Sequence, residues 1–239
     1  MKVSTISIDL AKNVFQVMGF TSTGETVFNK RLNRLQLSLL MQMQPPCSVV
    51  MEACYSSHYW GRAFESFGHA VHLIPAQHVT PFVRGNKNDS NDTLAIFEAS
   101  HRPHIRFVPI KTEAQQEILI LHRLRERLLS ARTAASNQLR GLLADFGIVF
   151  PLGKAAFNEK MQELSIDTTL SATIAWLVTD VYTEYKSLTL RIKAIEKQLN
   201  TEIEANPLGQ ILLSIPGIGY LNASAFVASI GSGQAFSSA

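Results

Sequence analysis

The 239-residue chain has little cysteine and no long apolar run. Its two cysteines, Cys47 and Cys54, lie close together without His or Cys partners at zinc spacing. This argues against a disulfide framework and favours a reducing compartment. No window approaches the about 18 consecutive apolar residues that would cross a bilayer, and no apolar signal stretch precedes the strand-like segment that begins at Val3. We therefore expect a soluble, intracellular protein with no membrane partner.

The sequence also lacks a strong excess of either charge and the common nucleotide-binding motifs. Its net charge of +3 permits nucleic-acid binding without arguing for it. Neither a Walker loop nor a Rossmann fingerprint is present, and the seven histidines form no ligand cluster. Hydrophobic residues make up 46% of the chain, which is enough to build the core of one large or two small domains.

Residues 1–110 show a mixed pattern of strands and helices. Apolar and β-branched runs predict strands over 3–10, 14–20, 26–32, 48–51 and 70–74. Helices are predicted from Asn33 to Met43, which precedes Pro45-Pro46, over 55–67, and from about Asp89 to His101. The order of three strands followed by alternating helices and strands is that of a ribonuclease-H-like α/β domain.

The second part, residues 111–205, is predicted to be helical. Apolar residues recur at threes and fours over about 112–146 and about 170–204, which indicates an antiparallel pair of long helices. An ordinary helical subdomain and an oligomerising coiled coil fit this pattern equally well. The first long helix is rich in arginine, and the arginine-bearing face either contacts nucleic acid or is simply solvated: Arg123, Arg125, Arg127, Arg132 and Arg140.

The third part, residues 206–239, begins with a helix, a Gly-x-Gly hairpin at Gly217 and Gly219, and a second helix. Such hairpins present backbone N–H groups to phosphates because glycine permits close approach; a plain turn between helices is the alternative. The segment 231–239 has the composition of an entry into further structure rather than of a natural end.

Four carboxylates from three distant segments are the candidate catalytic and metal-binding residues: Asp9, Glu52, Asp89 and Asp92. Asp9 lies in a strand predicted to be buried, where an unpaired carboxylate is costly. Glu52 ends the central strand, and the spacing of Asp89 and Asp92 places both on one helix face. Such oxygen ligands suit Mg²⁺ or Mn²⁺. The simpler alternatives are helix capping for Asp89 and Asp92 and a solvated strand end for Glu52.

Basic residues flank the predicted helix that carries Asp89 and Asp92. They precede it in the loop of Arg84 and Lys87 and follow it at Arg102, Arg106 and Lys111. A phosphate backbone held there would lie near the metals, whereas the alternative is a solvated loop. With Gly217 and Gly219 these residues form the predicted nucleic-acid-binding set.

The motifs resemble those of transposases of the insertion sequence 110 and 1111 family, also called the DEDD or Piv/MooV class. The resemblance spans the whole chain and keeps the motif order. It is carried by residues 8–17 (IDLAKNVFQV), 51–54 (MEAC), 86–92 (NKNDSND) and 213–219 (LSIPGIG). It implies a RuvC-like domain over 1–110, a helical, coiled-coil-like oligomerisation region over 111–205, and the start of a C-terminal transposase domain over 206–239 with a helix-hairpin-helix-like motif.

The resemblance also implies a function for the four carboxylates. Family members are DNA recombinases that combine this acidic tetrad with a C-terminal serine, which forms a covalent linkage to a DNA strand. They use a structured bridge RNA that pairs with donor and target DNA, and they assemble as dimers and tetramers. The implied cofactor is Mg²⁺ or Mn²⁺, and the implied location is the bacterial cytoplasm.

One element of the family pattern is not reached within the 239 residues. The catalytic serine follows the C-terminal hairpin, and the context of Ser237 and Ser238 does not match its motif. We therefore expect a truncated polypeptide that is inactive in strand exchange. Two other functions remain open, namely a junction-resolvase-like metal-dependent nuclease and a non-catalytic nucleic-acid-binding assembly module.

Overall fold

A computed structural model of the chain describes residues 1–83, 88–231 and 233. The chain forms two compact units, Met1–Thr112 and a second one that begins at Glu113. The first is an α/β unit and the second consists of helices. This agrees with a RuvC-like domain followed by helices.

The first unit is built on a five-stranded mixed sheet. Its strands are β1 (Thr5–Asp9), β2 (Val14–Phe20), β3 (Thr26–Asn33), β4 (Ser48–Glu52) and β5 (Ala70–Ile74). They lie in the order β3-β2-β1-β4-β5. The pairs β1–β2 and β2–β3 are antiparallel, and the pairs β1–β4 and β4–β5 are parallel. All five predicted strands are present, and their bounds differ from the prediction by at most two residues.

Helices cover both faces of this sheet. They are α1 (Arg34–Met43), α2 (Ser57–Ser66), α3 (Ala76–Val79) and α4 (Asp89–Ser100), with a 3₁₀ turn at Thr80–Phe82. Asn33 begins α1 as predicted, because its side chain accepts a hydrogen bond from Gln36 N while the Gln36 side chain accepts one from Asn33 N. The short helical segment over 76–82 was not predicted.

The alternation of side chains along the strands divides the core into two layers. Val49 and Met51 pack with α1 and α2 on one face, where Leu37 and Phe64 are fully buried. Val50 and residues of α3 and α4 form the layer on the opposite face. Because successive strand residues point to opposite faces, this register determines which strand-end side chains point toward α4.

The second unit contains five helices in its described part: α5 (Glu113–Ala144), α6 (Lys154–Ser165), α7 (Ala172–Glu204), α8 (Pro207–Leu213) and α9 (Tyr220–Ile230). The start of α5 shares a core with the end of α7, and the end of α5 shares one with the start of α7. The two long helices are therefore antiparallel, as predicted.

The apolar stripe of α7 is buried within this unit. Nine of its residues are buried, at spacings of three and four, from Ile174 to Ile203. They pack against α5 and the helices beside it, so the stripe serves packing inside the chain. Oligomerisation through this region stays a prediction. Among the described residues, no helix combines the length and apolar character needed to cross a bilayer.

Candidate metal centre

Asp9 and Glu52 lie at neighbouring strand ends on the same face of the sheet. They are the last residues of β1 and β4, and these strands pair in parallel with Ile8 opposite Met51. Asp9 is two residues after Ser7, which contacts α4, and Glu52 is two residues after Val50, which packs in the same layer. The period of two therefore turns both carboxylates toward α4. Each is half-buried.

Asp89 and Asp92 lie in the first turn of α4. The helix begins here because Asn88 caps it, its side chain accepting a 2.8 Å hydrogen bond from Asn91 N. Thr93 fixes the next turn by donating its hydroxyl to Asp89 O at 2.6 Å. Asp89 is exposed and Asp92 is half-buried. Both carboxylates occupy the positive end of the helix dipole.

The four carboxylates line a single cavity of about 500 Å³. Its remaining walls come from α3 and the segment after it, through Val79, Thr80 and Val83. Within the described part of the chain, no three acidic, histidine or cysteine side chains are close enough together to hold a metal ion. The four carboxylates are suitable ligands for a hard divalent cation, but they are not already arranged around one metal position.

Residues of β3 extend the site on its outer side, and sequence reasoning missed them. Arg31 Nη2 lies 3.8 Å from Asp89 Oδ2, and Asn29 Nδ2 donates to Ser90 Oγ at 3.3 Å. Gln16 on β2 in turn donates to Asn29 Oδ1. The Arg31–Asp89 pair is exposed, so it stabilises the fold little. It nevertheless places a guanidinium beside the acidic cavity, where it can contact a phosphate.

The predicted basic neighbours of the site have different environments. Arg84 and Lys87 lie outside the described residues. Arg106 is exposed, and Arg102 is exposed with its guanidinium 5.1 Å from the Phe82 ring. Lys111 is half-buried, and burial lowers the pKa of its amine. Arg102 and Arg106 therefore remain available to a ligand, whereas Lys111 is partly withdrawn from solvent.

The Gly217–Gly219 turn joins α8 to α9. Gly217 has a φ of 88°, a left-handed conformation that favours glycine. Gly219 precedes α9 in extended conformation, and no side chain caps the helix there. Both glycines are exposed, so their backbone is accessible. Binding of phosphate by this turn stays a prediction, and Ser237 and Ser238 lie outside the described residues.

The arginine-rich face of α5 is divided between structural and exposed residues. Arg125 forms a half-buried ion pair with Glu196 on α7, with both Nε and Nη2 within 2.8 Å of Oε1. Arg140 donates to backbone carbonyls at the end of the α5–α6 loop. Arg123 and Arg127 are exposed. The arginines of α5 therefore do not form one uniform binding face.

Comparisons with known proteins identify relatives of this chain. A family model described as a transposase, of the DEDD type named after IS110, matches residues 6–148. The chain is 40% identical over 239 residues to a probable family 20 transposase of Pseudomonas aeruginosa, covering 99% of this chain and 71% of that protein. It is 38% identical over 232 residues to the transposase for insertion sequence element IS1328 of Yersinia enterocolitica, covering 97% and 69%.

A third relative extends the same pattern. The chain is 37% identical over 232 residues to the transposase for insertion sequence element IS1111A of Coxiella burnetii, covering 96% of this chain and 64% of that protein. All four candidate carboxylates fall within the residues 6–148 that the family model matches.

Proposed function

The chain belongs to the insertion sequence 110 and 1111 family of DEDD transposases, and we propose that Asp9, Glu52, Asp89 and Asp92 are its catalytic, metal-binding carboxylates. The observation that carries this proposal is that these side chains, from three separated segments, line one cavity. Their oxygens are the ligands that Mg²⁺ and Mn²⁺ prefer in proteins. Donor and target DNA are the proposed substrates.

The four carboxylates are carried by two kinds of secondary structure. Asp9 and Glu52 stand on paired strand ends, whereas Asp89 and Asp92 stand on the first turn of α4. Divalent ions, when bound, activate a nucleophile and stabilise the leaving oxygen of a phosphodiester. Because no three ligands converge among the described residues, we expect metal binding to draw the first turn of α4 toward the strand ends.

Metal binding by the full 239-residue chain tests the carboxylate assignment. Isothermal titration with Mn²⁺ should show binding to the wild type that falls at least about tenfold in Asp9→Asn and Glu52→Gln, because each removes a charged ligand. Glu25→Gln is the matched control, since Glu25 is an exposed carboxylate of the same unit outside the cavity. Equal affinities for all four proteins would favour the non-catalytic assembly module.

Reaction products distinguish the transposase from a nuclease. We propose that the acidic tetrad acts together with a serine nucleophile, so the metal site by itself should not hydrolyse DNA. Incubation of residues 1–239 with branched DNA and Mg²⁺ should therefore release no hydrolysed strands. Cleavage that is lost in Asp9→Asn would favour the junction-resolvase-like nuclease instead.

We also propose that a bridge RNA and self-assembly belong to this function. The relatives support a transposase, and the RNA and the dimer or tetramer follow from the family resemblance of the motifs. With RNA guidance, base pairing carries the sequence choice, so few side chains need to encode it. Light scattering of the chain with and without the element's non-coding RNA measures both: a monomer that binds no RNA would contradict this part of the proposal.

A further inference from the structure

A second polar cavity lies within the helical unit. It has a volume of about 200 Å³ and is lined by residues of α5, the start of α6, and α7. Three of its lining residues are cationic, namely Arg132, Arg140 and Lys154, and none is acidic. We call this cavity the basic pocket.

Arg140 is held rigidly at this pocket. Its Nη1 donates to the carbonyl oxygens of Phe150 at 3.2 Å and Pro151 at 2.9 Å, and its Nη2 donates to Gly153 at 3.5 Å. Its guanidinium also lies over the rings of Phe150 and Phe157, 5.4 and 5.2 Å from their centroids. These contacts hold the guanidinium in a fixed orientation and leave some of its five N–H donors unused.

The positive charge of the basic pocket is not balanced within the described part of the chain. Arg132, Arg140 and Lys154 form no ion pair there. Arg125 of the same unit, by contrast, is paired with Glu196. Three like charges around one cavity repel each other, so an anion bound among them would be stabilised.

Two further features lie at the basic pocket, namely Tyr185 and the N-terminus of α6. Tyr185 is only 6% exposed and lines the pocket, and its hydroxyl has no hydrogen-bond partner among the described residues. Among the described residues, Trp60 Nε1 is the only fully buried side-chain nitrogen or oxygen without a hydrogen-bond partner. The Tyr185 hydroxyl, which also has no partner, is therefore not fully buried, and solvent reaches it. Gly153, with a φ of 97°, begins α6 without a side-chain cap, so the first backbone N–H groups of α6 are left for an anion.

We propose that the basic pocket binds a backbone phosphate of a nucleic-acid strand. An arginine fork, a lysine and helix N–H groups are the donors that bind phosphate in proteins. Thr133, Asn137 and Lys154 at the rim are exposed, so a continuous strand has access. The proposal rests on the proposed function only in taking nucleic acid as the source of the phosphate.

Anisotropy of a labelled single-stranded DNA oligonucleotide, measured with the full chain at several salt concentrations, tests the pocket. The double variant Arg132→Gln/Lys154→Gln should bind about tenfold more weakly, and its slope of log Kd against log salt should fall by about 1. Arg140 is left unchanged because it holds the α5–α6 loop. The control Arg127→Gln/Lys197→Gln removes the same charge from exposed positions of α5 and α7 outside the pocket. Equal weakening of both variants would overturn the proposal.

The backbone amide signals of Ala155 and Ala156 in nuclear magnetic resonance spectra separate the two sources of phosphate. The oligonucleotide should shift them in the wild type and not in the pocket variant. Shifts with inorganic phosphate alone, and none with the oligonucleotide, would overturn a nucleic-acid site.

Mn²⁺ titration of the pocket variant should match the wild type. If Asp9→Asn still binds the oligonucleotide, the basic-pocket proposal is supported independently of the metal-site proposal.

Discussion

Ser7 joins the central strand of the sheet to the helix that carries two of the candidate carboxylates. Its Oγ donates a 2.7 Å hydrogen bond to the backbone oxygen of Thr93, and both residues are fully buried. Thr93 in turn donates to the backbone oxygen of Asp89. This buried polar contact therefore helps to fix the position of α4 over the strand ends, together with the apolar layer that α4 shares with Val50.

Ser7→Ala is expected to lower the free energy of unfolding of the first unit by about 1 kcal/mol, because a buried hydrogen bond is lost. It should also weaken Mn²⁺ binding several-fold, since α4 is no longer fixed over Asp9. Denaturant unfolding followed by Trp60 fluorescence, in a Trp176→Phe background, measures the first effect. Ser66→Ala is the control, because Ser66 is exposed and bonds only within its own helix. An equal loss of unfolding free energy in both variants would show that the Ser7–Thr93 hydrogen bond does not hold α4 against the sheet.

The two cysteines should react very differently with maleimides. Burial raises the pKa of the Cys47 thiol to about 11, so roughly one Cys47 thiol in ten thousand is ionised at pH 7. Cys54 is half-buried, and the thiolate is the reactive form. Mass spectrometry should find a single adduct on native protein, at Cys54, and two after denaturation. Native Cys54→Ser should remain unlabelled; an adduct on it would show that Cys47 is accessible.

How far the sequence determines the candidate site differs between its parts. The ends of β2 and β5 were predicted to the residue, because short apolar runs there are bounded by turn residues. Asp9 and Glu52 follow from the same patterns. By contrast, Thr80 and Val83 reach the cavity from a segment over 76–83 that is too short to show a helical period. The proximity of Arg31 to Asp89 depends on how β3 lies beside α4, which local patterns do not encode.

Helix α6 was missed for a different reason. Its apolar residues Phe157, Met161 and Leu164 have helical spacing. It begins after Gly153, however, where a capping Ser, Thr, Asp or Asn would have marked the start. The absence of that cap hid the helix in the sequence, and it is also what leaves the N–H groups at the basic pocket without a side-chain partner.

His122 should make the helical unit less stable in mild acid. Its Nε2 lies 2.9 Å from Oγ of Ser224, a fully buried residue of α9. Burial, together with the charge of Arg125, lowers the pKa of His122 below its usual value. The unfolded chain binds the proton near pH 6.5, so this contribution to stability is complete above that pH. It is lost as the pH falls toward the folded-state pKa.

Thermal unfolding of the wild type and His122→Gln between about pH 7.5 and about pH 5.5 measures this effect. Glutamine can still bond Ser224 but does not titrate, so the variant should lose less Tm on acidification than the wild type. His72, whose pKa is also lowered by burial, contributes equally to both proteins. Identical losses of Tm would show that His122 is not the source.

Two glycines of the helical unit should respond in opposite directions to the same substitution. Gly209 of α8 is buried, and a Cβ there would overlap the carbonyl oxygen and side chain of Ile203 at the end of α7. Since backbone cannot give way as a side-chain tip can, Gly209→Ala should cost about 1–3 kcal/mol. Gly141→Ala in α5 meets nothing within 4 Å and should stabilise the helix by about 0.5–1 kcal/mol. Denaturant unfolding followed by circular dichroism compares them, and a neutral Gly209→Ala would mean that the junction between α7 and α8 opens without cost.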